Sequence, residues 1–333
     1  MPKLTAMDEY FVHQIPEPLP NVVTWHEHWR ESLFFVLHPR ERLGNVVILT
    51  LAHFPGRKEM DCLQLGRVDD AAIFARYARP YDGDPHTMRV GPARFEIVEP
   101  FKTVRLRVDD VPEAPVSLDL TFTARTRACG LRRGTMKAGH EIIWDQSHMV
   151  QSGIYNGTFK HAGKTYEVRN WWGQRDHSWG IRDHARCPMW MWLAIQFPQG
   201  MLAVWHWEYS NGATVYTDGC FAPADGGEPV PLIRFSHDLH WIGANSETVS
   251  YGRDGDDVAG LAGRVEITLE GGRTIAIDAE GRWAQRYGPL GGGLNEMIVR
   301  SADGWQGTAI YEVTGAYHHH FFPTARAERL PPG

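Results

Sequence analysis

The residues best equipped for chemistry lie in one stretch, Trp171-Trp172-Gly173-Gln174-Arg175-Asp176-His177-Ser178-Trp179-Gly180-Ile181-Arg182. An acid, a base, two guanidiniums and three indoles share twelve residues there. Aromatic walls beside a few polar groups are what a small-molecule pocket requires. Asp176 reads as a general acid, because a carboxyl group buried among indoles keeps its proton more readily than one in water. His177 reads as the base, since imidazole titrates near neutrality. Trp171, Trp172 and Trp179 would face a developing cation with their rings, or simply fill a core. Arg175 and Arg182 would hold a polar substituent of the substrate, or pair with Asp176 in a buried corner of the scaffold. Strand geometry sets a condition on this reading. If the segment is extended, Asp176 and His177 point to opposite faces. Only a bend, which Gly173 and Gly180 would permit, brings both into one pocket.

Two later segments extend the candidate pocket. In Met189 to Phe197 one face carries Trp190 and Trp192, and in Leu202 to Tyr209 Trp205 and Trp207 alternate with His206. Segments apolar on both sides must be covered on both sides, as a barrel wall with a ligand inside would be, or the centre of a plain sandwich. Glu312 shares a strand face with Ile310, which points to an inward carboxylate or to a solvated edge, and Tyr311 takes the other face. The candidate catalytic residues are therefore Asp176, His177 and Glu312. The candidate substrate contacts are Trp171, Trp172, Arg175, Trp179, Arg182, Trp190, Trp192, Trp205, His206, Trp207 and Tyr311.

What is absent narrows the chemistry. No GxGxxG follows a strand, there is no P-loop, and there is no GxSxG elbow, so nucleotide-dependent redox, phosphoryl transfer and serine hydrolysis are poor fits. His140-Glu141 opens like a zincin helix, but Trp144 stands where the second histidine is needed. His26 and His28, or His318 and His320, are spaced to share an ion on a strand face. Nothing fixes a third ligand for either pair. No metal and no cofactor are expected.

The elements that must position these residues are short strands. Asn45 to Ala52 reads as a strand buried on both faces, and Val116 to Ala124 alternates as a half-buried strand does. Hairpins are expected over Gly157 to Asn170, turning at Ala162-Gly163, over Met201 to Tyr216, turning at Ser210-Asn211-Gly212, and over Arg264 to Ile277, turning at Gly271-Gly272. One short, acid-capped helix is expected over Asp69 to Ala78. No repeat of solenoid length occurs. The fold class is all-β, built from sandwiches or barrels, with the domain joint near Ala185-Arg186-Cys187-Pro188. The domains are then 1–187 and 188–333, with the tryptophan-rich motif close to their seam.

Composition agrees with a globular protein: 333 residues, 43% hydrophobic, 22% charged. Thirteen tryptophans favour an apolar or aromatic ligand. A net charge of −6 leaves no basic footprint for nucleic acid. No apolar run reaches membrane-span length, and the N-terminus lacks a signal-peptide core, so a cytoplasmic location is expected. Cys62, Cys129, Cys187 and Cys220 are far apart and read as free thiols. A homodimer is left open.

The run Gly173-Gln174-Arg175-Asp176-His177-Ser178-Trp179-Gly180-Ile181-Arg182 resembles the G-x-R-D-H-S-W-G-x-R signature of the hydroxyneurosporene synthase/AttH-like proteins. The segment leading into it and the closing Gly307-Thr308-Ala309-Ile310-Tyr311-Glu312 are similar as well. The resemblance implies two lipocalin-like β-domains packed together, with an apolar pocket. The family includes carotenoid hydratases that need no cofactor, and related folds host cyclases. It implies Asp176 as the acid that protonates or polarises substrate. The expected function is a cofactor-independent lyase, hydratase or isomerase acting on an apolar terpenoid or aromatic molecule. The alternatives are a lipocalin-like carrier without catalysis and a pericyclic or terpenoid cyclase.

Overall fold

A computed structural model describes residues 1–13, 26–81, 87–251, 255–287 and 291–315. The chain forms two compact units. The first comprises Met1–Arg40, Gly44–Arg182 and Asp225–Gly227; the second comprises Glu41–Leu43, Asp183–Ala224 and the chain from Glu228 onward.

The first unit carries β1 (Trp29–Leu37), β2 (Val46–Phe54), β3 (Glu59–Val68), β4 (Ala71–Pro80), β5 (Arg89–Val90), β6 (Ala93–Glu99), β7 (Thr103–Val108), β8 (Ser117–Ala124), β9 (Cys129–Ala138), β10 (Glu141–His161) and β11 (Lys164–Arg182). They form one antiparallel sheet in the order β4-β3-β2-β1-β11-β10-β8-β7-β6-β5, with β9 also on β10. The sheet curls until its ends meet: Arg79 of β4 donates through Nε to the Arg89 carbonyl (2.7 Å) and through Nη2 to the Thr87 carbonyl (3.0 Å). The β10–β11 hairpin turns at Ala162-Gly163, both at positive φ, the twist that suits a two-residue turn. Leu33, Phe35, Leu49, Leu51, Leu106, Phe122, Tyr155 and Phe159 fill the concave side. Phe11, from the N-terminal segment, joins that core.

The second unit carries β12 (Met189–Phe197), β13 (Gly200–Glu208), β14 (Thr214–Pro223), β15 (Val230–His237), β16 (His240–Ile242), β17 (Gly260–Leu269), β18 (Thr274–Arg286), β19 (Gly292–Ser301) and β20 (Gln306–Thr314). The order is β15-β14-β13-β12-β20-β19-β18-β17-β16, and β15 also pairs with β17. That last ladder closes an eight-stranded antiparallel barrel, the size at which side chains just fill the interior. Met191, Leu193, Ile195, Val204, Val265, Ile277, Met297 and Tyr311 fill it.

Both units are all-β, and two single-turn 3-10 elements, Ala6–Glu9 and Pro55–Arg57, are the helical pieces among the described residues. No helix there is long and apolar enough to cross a membrane. The strand expected over 45–52 forms as Val46–Phe54 and is buried throughout, and the three expected hairpins form at their expected turns. The expected helix over 69–78 is instead the β3–β4 hairpin. Asp69 and Asp70 both take positive φ and make its turn. The acid pair that resembled a helix cap is turn chemistry. All four cysteines are buried and free.

β11 passes through the tryptophan-rich motif without leaving the sheet. Its glycines serve close packing, not a bend toward one pocket. A Cβ on Gly173 would stand 1.7 Å from the Val36 carbonyl oxygen, and Gly180, at φ +134°, would place one 1.9 Å from that of Asp145. Gly180→Ala therefore combines a backbone clash with a conformation that L-residues rarely adopt. We expect it to cost about 3 kcal/mol, read as a lower midpoint in denaturant unfolding; a loss below about 1 kcal/mol would contradict this geometry.

Candidate functional site

Residues directly opposite each other on paired strands share a face. β1 pairs Phe35 with Arg175, Leu33 with His177 and Glu31 with Trp179. Arg175, His177 and Trp179 therefore point into the first unit's core. Asp176, paired with Phe34 and with Val150 of β10, points the other way. The motif is one strand with two chemistries.

The core face holds two buried charge clusters. Arg175 is fully buried, with its guanidinium over the rings of Phe122 and Phe35. It ion-pairs with Glu9, donating through Nη2 to Oε2 at 2.8 Å and through Nη1 to Oε1. It also donates through Nε (3.0 Å) and Nη2 (2.7 Å) to Gln151 Oε1. The Phe101 backbone N–H completes the Glu9 carboxylate at 2.7 Å. Burial works to raise the Glu9 carboxyl, but Arg175 and the Phe101 N–H outweigh it and hold it below its ordinary value.

Beside it, Glu31 is fully buried amid three imidazoles. His13 Nδ1 bonds Glu31 Oε1, His53 Nε2 lies 3.1 Å from Oε2, and His177 Nε2 lies 3.1 Å from Oε1. His13 Nε2 reaches Asp8 Oδ1 at 3.0 Å, its ring stacked on Trp179 with centroids 3.6 Å apart. His177 Nδ1 donates to the Asp8 carbonyl at 2.6 Å. Burial would raise the Glu31 carboxyl, yet the surrounding imidazoles hold it well below the usual carboxylate range. Burial lowers the His13 pKa and the two carboxylates raise it, for a net upward shift. His13, Glu31 and His177 are one group among the described residues whose donor atoms lie close enough to hold a metal ion.

The opposite face of β11 is buried too. Asp176 Oδ1 lies 3.2 Å from His148 Nε2, both side chains nearly enclosed. Next to them, Gln174 is wholly buried and neither its amide oxygen nor its nitrogen meets a hydrogen-bonding partner among the described residues. Ser178 Oγ approaches Ser32 Oγ at 3.4 Å, and Arg182 Nη2 donates to Ser32 Oγ at 2.8 Å. Trp172 lies on this face, two residues from Gln174, with the Arg125 guanidinium 4.8 Å from its ring centroid. Trp171, on the core face, packs against Phe159.

The second unit divides its candidates in the same way. β12 pairs Trp190 with Trp207 and Trp192 with both Trp205 and Glu312. These four buried indoles and half-buried Glu312 share the face away from the barrel core. His206 and Tyr311 take the inner face. His206 Nδ1 bonds Thr217 Oγ1 and its Nε2 bonds Glu208 Oε1, both at 2.7 Å. Tyr311 is buried in the barrel core. Glu312 is thus not inward toward the barrel, as Ile310 had implied; the inward residue is Tyr311.

The structure therefore separates Asp176 from His177, whose nitrogens face Asp8 and Glu31. Sequence reasoning missed His148, Glu31, His53, His13 and Glu9. A signal existed for two of them: Glu31 alternates with Leu33, Phe35 and Leu37, and His53 with Val47, Leu49 and Leu51, so each stands in an otherwise apolar strand face. His148 had no such mark, because its partnership depends on the β10–β11 register.

The model of a family of unknown function, DUF8625, matches residues 4–286 and so spans both clusters and the whole motif. The chain belongs to the DUF8625 family. No curated protein matches its sequence. Solved structures do match the DUF8625 fold seen here. A candidate AttH from Nitrosomonas europaea aligns at TM-score 0.59 and 13% identity, covering 87% of this chain and 94% of that one. CghA in complex with Sch210972 aligns at TM-score 0.54 and 12% identity, covering 86% and 88%. Kievitone hydratase from Nectria haematococca aligns at TM-score 0.51 and 12% identity, covering 85% and 88%. At such identities the likeness is one of fold, and it is the AttH-like fold that the G-x-R-D-H-S-W-G-x-R resemblance implied.

The Glu9–Arg175 pair yields a direct test. Glu9→Ala strands a buried guanidinium and should cost about 3–5 kcal/mol. The double variant Glu9→Leu/Arg175→Met should recover much of that loss, because no charge is then left unpaired. Denaturant unfolding of the four proteins measures the coupling. The Glu9 carboxyl is held below its ordinary value of 4.5. Its contribution is thus full above that value and is lost as pH falls through the folded-state pKa.

Proposed function

We propose that the protein is an acid–base enzyme of the lyase, hydratase or isomerase kind, acting on an apolar terpenoid or aromatic molecule without an organic cofactor. The observation that carries this reading is the enclosed contact of Asp176 with His148 at 3.2 Å. A carboxyl and an imidazole this close are placed to act on one substrate hydroxyl as acid and base. In the dehydrating direction the pair protonates a leaving hydroxyl; removal of a proton from the neighbouring carbon then forms the double bond and releases water. Hydration is the same path reversed, and isomerisation returns the proton to a different carbon. Gln174, whose buried amide has hydrogen-bonding capacity to spare, is suited to orient a hydroxyl or carbonyl of the substrate.

The four indoles on the face of β12 and β13 turned away from the barrel core support an apolar or aromatic substrate, since indole surface binds rings well. Kievitone hydratase and CghA support the class of chemistry only as proteins built on the same fold. His177 leaves the mechanism, because it faces the core and not Asp176. Glu312 is proposed as an auxiliary acid–base group of the indole-lined face and not as a partner of His177.

Incubation in D₂O with a panel of terpenoid, polyene and aromatic alcohol substrates, followed by mass spectrometry, tests the proposal. Wild type should change at least one substrate by the mass of one water, or exchange deuterium into an unchanged skeleton. Asp176→Asn and His148→Gln should each lower that turnover about 10²–10⁴-fold while keeping the wild-type melting temperature within a few degrees. Full activity in Asp176→Asn would overturn the assignment. Tight retention of an unaltered substrate by wild type and both variants would make the protein a carrier.

A further inference from the structure

The cluster on the core face of β11 has no part in that mechanism, and its geometry is that of a metal centre. His177 Nδ1 donates to the Asp8 carbonyl, which in the neutral ring leaves Nε2 as the lone-pair nitrogen. That nitrogen is fully buried, 3.1 Å from Glu31 Oε1, and out of line for a hydrogen bond. A ring nitrogen and a carboxylate oxygen, each a possible metal ligand, thus face each other in a dry interior. His13 presents Nδ1 to the same Glu31 oxygen while Nε2 reaches Asp8 Oδ1. Ligands at about 2.0–2.2 Å from a zinc-like ion lie about 3.0–3.5 Å from one another, which is the His177–Glu31 spacing observed.

The supporting groups are in place as well. A metal-bound imidazole donates its other N–H to a carboxylate or a backbone carbonyl. Asp8 supplies both, its side chain to His13 and its backbone to His177. His53 Nε2 reaches the second oxygen of Glu31 at 3.1 Å and orients that carboxylate. We propose that His13 Nδ1, His177 Nε2 and Glu31 Oε1 bind one divalent first-row transition ion, with Asp8 and His53 orienting the three ligands. The ion ties the N-terminal segment to β1 and β11. The ligands come from three separate segments, so no spacing motif announces them. The adjacent histidine pairs weighed in the sequence do not contribute: His26 and His28 face each other elsewhere, 5.6 Å apart, and His318 and His320 lie outside the described residues.

Metal content decides the matter. The full-length protein, stripped with a chelator and titrated with Zn²⁺ alone, should bind one equivalent and regain a higher melting temperature. His13→Asn, which removes a ligand outside every strand, should weaken binding by more than about 100-fold, and Asp8→Asn by about 10-fold. Asp176→Asn should bind as wild type does, which separates this site from the proposed catalytic pair. Co²⁺ in place of zinc should give visible bands in wild type that are lost in His177→Gln. No bound zinc and no zinc-dependent shift in melting temperature would overturn the proposal and leave a hydrogen-bonded imidazolium–carboxylate cluster. Equal zinc binding by wild type and His13→Asn would overturn it too.

Discussion

A strand buried on both faces can keep charged side chains only if each face supplies a counter-group, since stripping an unpaired charge of water costs several kcal/mol. β11 is such a strand, and the first unit is arranged around that requirement. Arg175 needs Glu9 and Gln151, His177 needs Glu31 and the Asp8 carbonyl, Asp176 has His148, and Arg182 has Ser32. Four of these counter-groups, Glu9, the Asp8 carbonyl, Glu31 and Ser32, come from the N-terminal segment or from β1. The first residues of the chain are thus part of the core: Phe11 fills it, Glu9 neutralises Arg175, and His13 covers Trp179.

The same alternation separates two kinds of chemistry that adjoin in sequence. On the core face, acidic and basic groups lie packed against one another and the indole of Trp179 is stacked against His13. That is an environment for holding something in place. On the other face the polar groups are fewer: Asp176 meets one imidazole, and Gln174 has an amide that no neighbouring protein group satisfies among the described residues. Buried hydrogen-bonding capacity is expensive to leave unused. A face carrying it beside an acid–base pair suits a polar-tipped apolar molecule better than a fixed scaffold contact.

Much of the architecture was legible because period-two patterning and turn glycines report directly on strands and hairpins. Val46–Phe54, the Ala162-Gly163 turn and the Gly271-Gly272 turn are examples. The Asp69-Asp70 turn was misread because an acid pair before an apolar run serves a helix cap and a tight hairpin equally well, and only the β3–β4 pairing distinguishes them. The site was legible to the level of one strand. The sequence showed that Asp176, His177 and the indoles stand close together, and it set the condition that an extended chain would part the acid from the base. It could not show the partners, because His148, Glu31 and His53 reach β11 through registers between strands far apart in the chain.

Fold and reaction stand on different footing here. The AttH-like architecture accommodates proteins as different as kievitone hydratase and CghA, so architecture alone cannot select a chemistry. What can select it is the inventory of groups on each buried face. In both units the barrel interior is occupied by side chains: Leu33, Phe35 and Phe122 in the first, Leu193, Val204 and Tyr311 in the second. A ligand held lipocalin-fashion inside either barrel would have to displace that core. Asp176, Gln174, Trp192 and Trp205 instead lie on strand faces turned away from the cores. A reaction at Asp176 would belong to its own face of β11 and not to the interior, whose side chains sustain the fold.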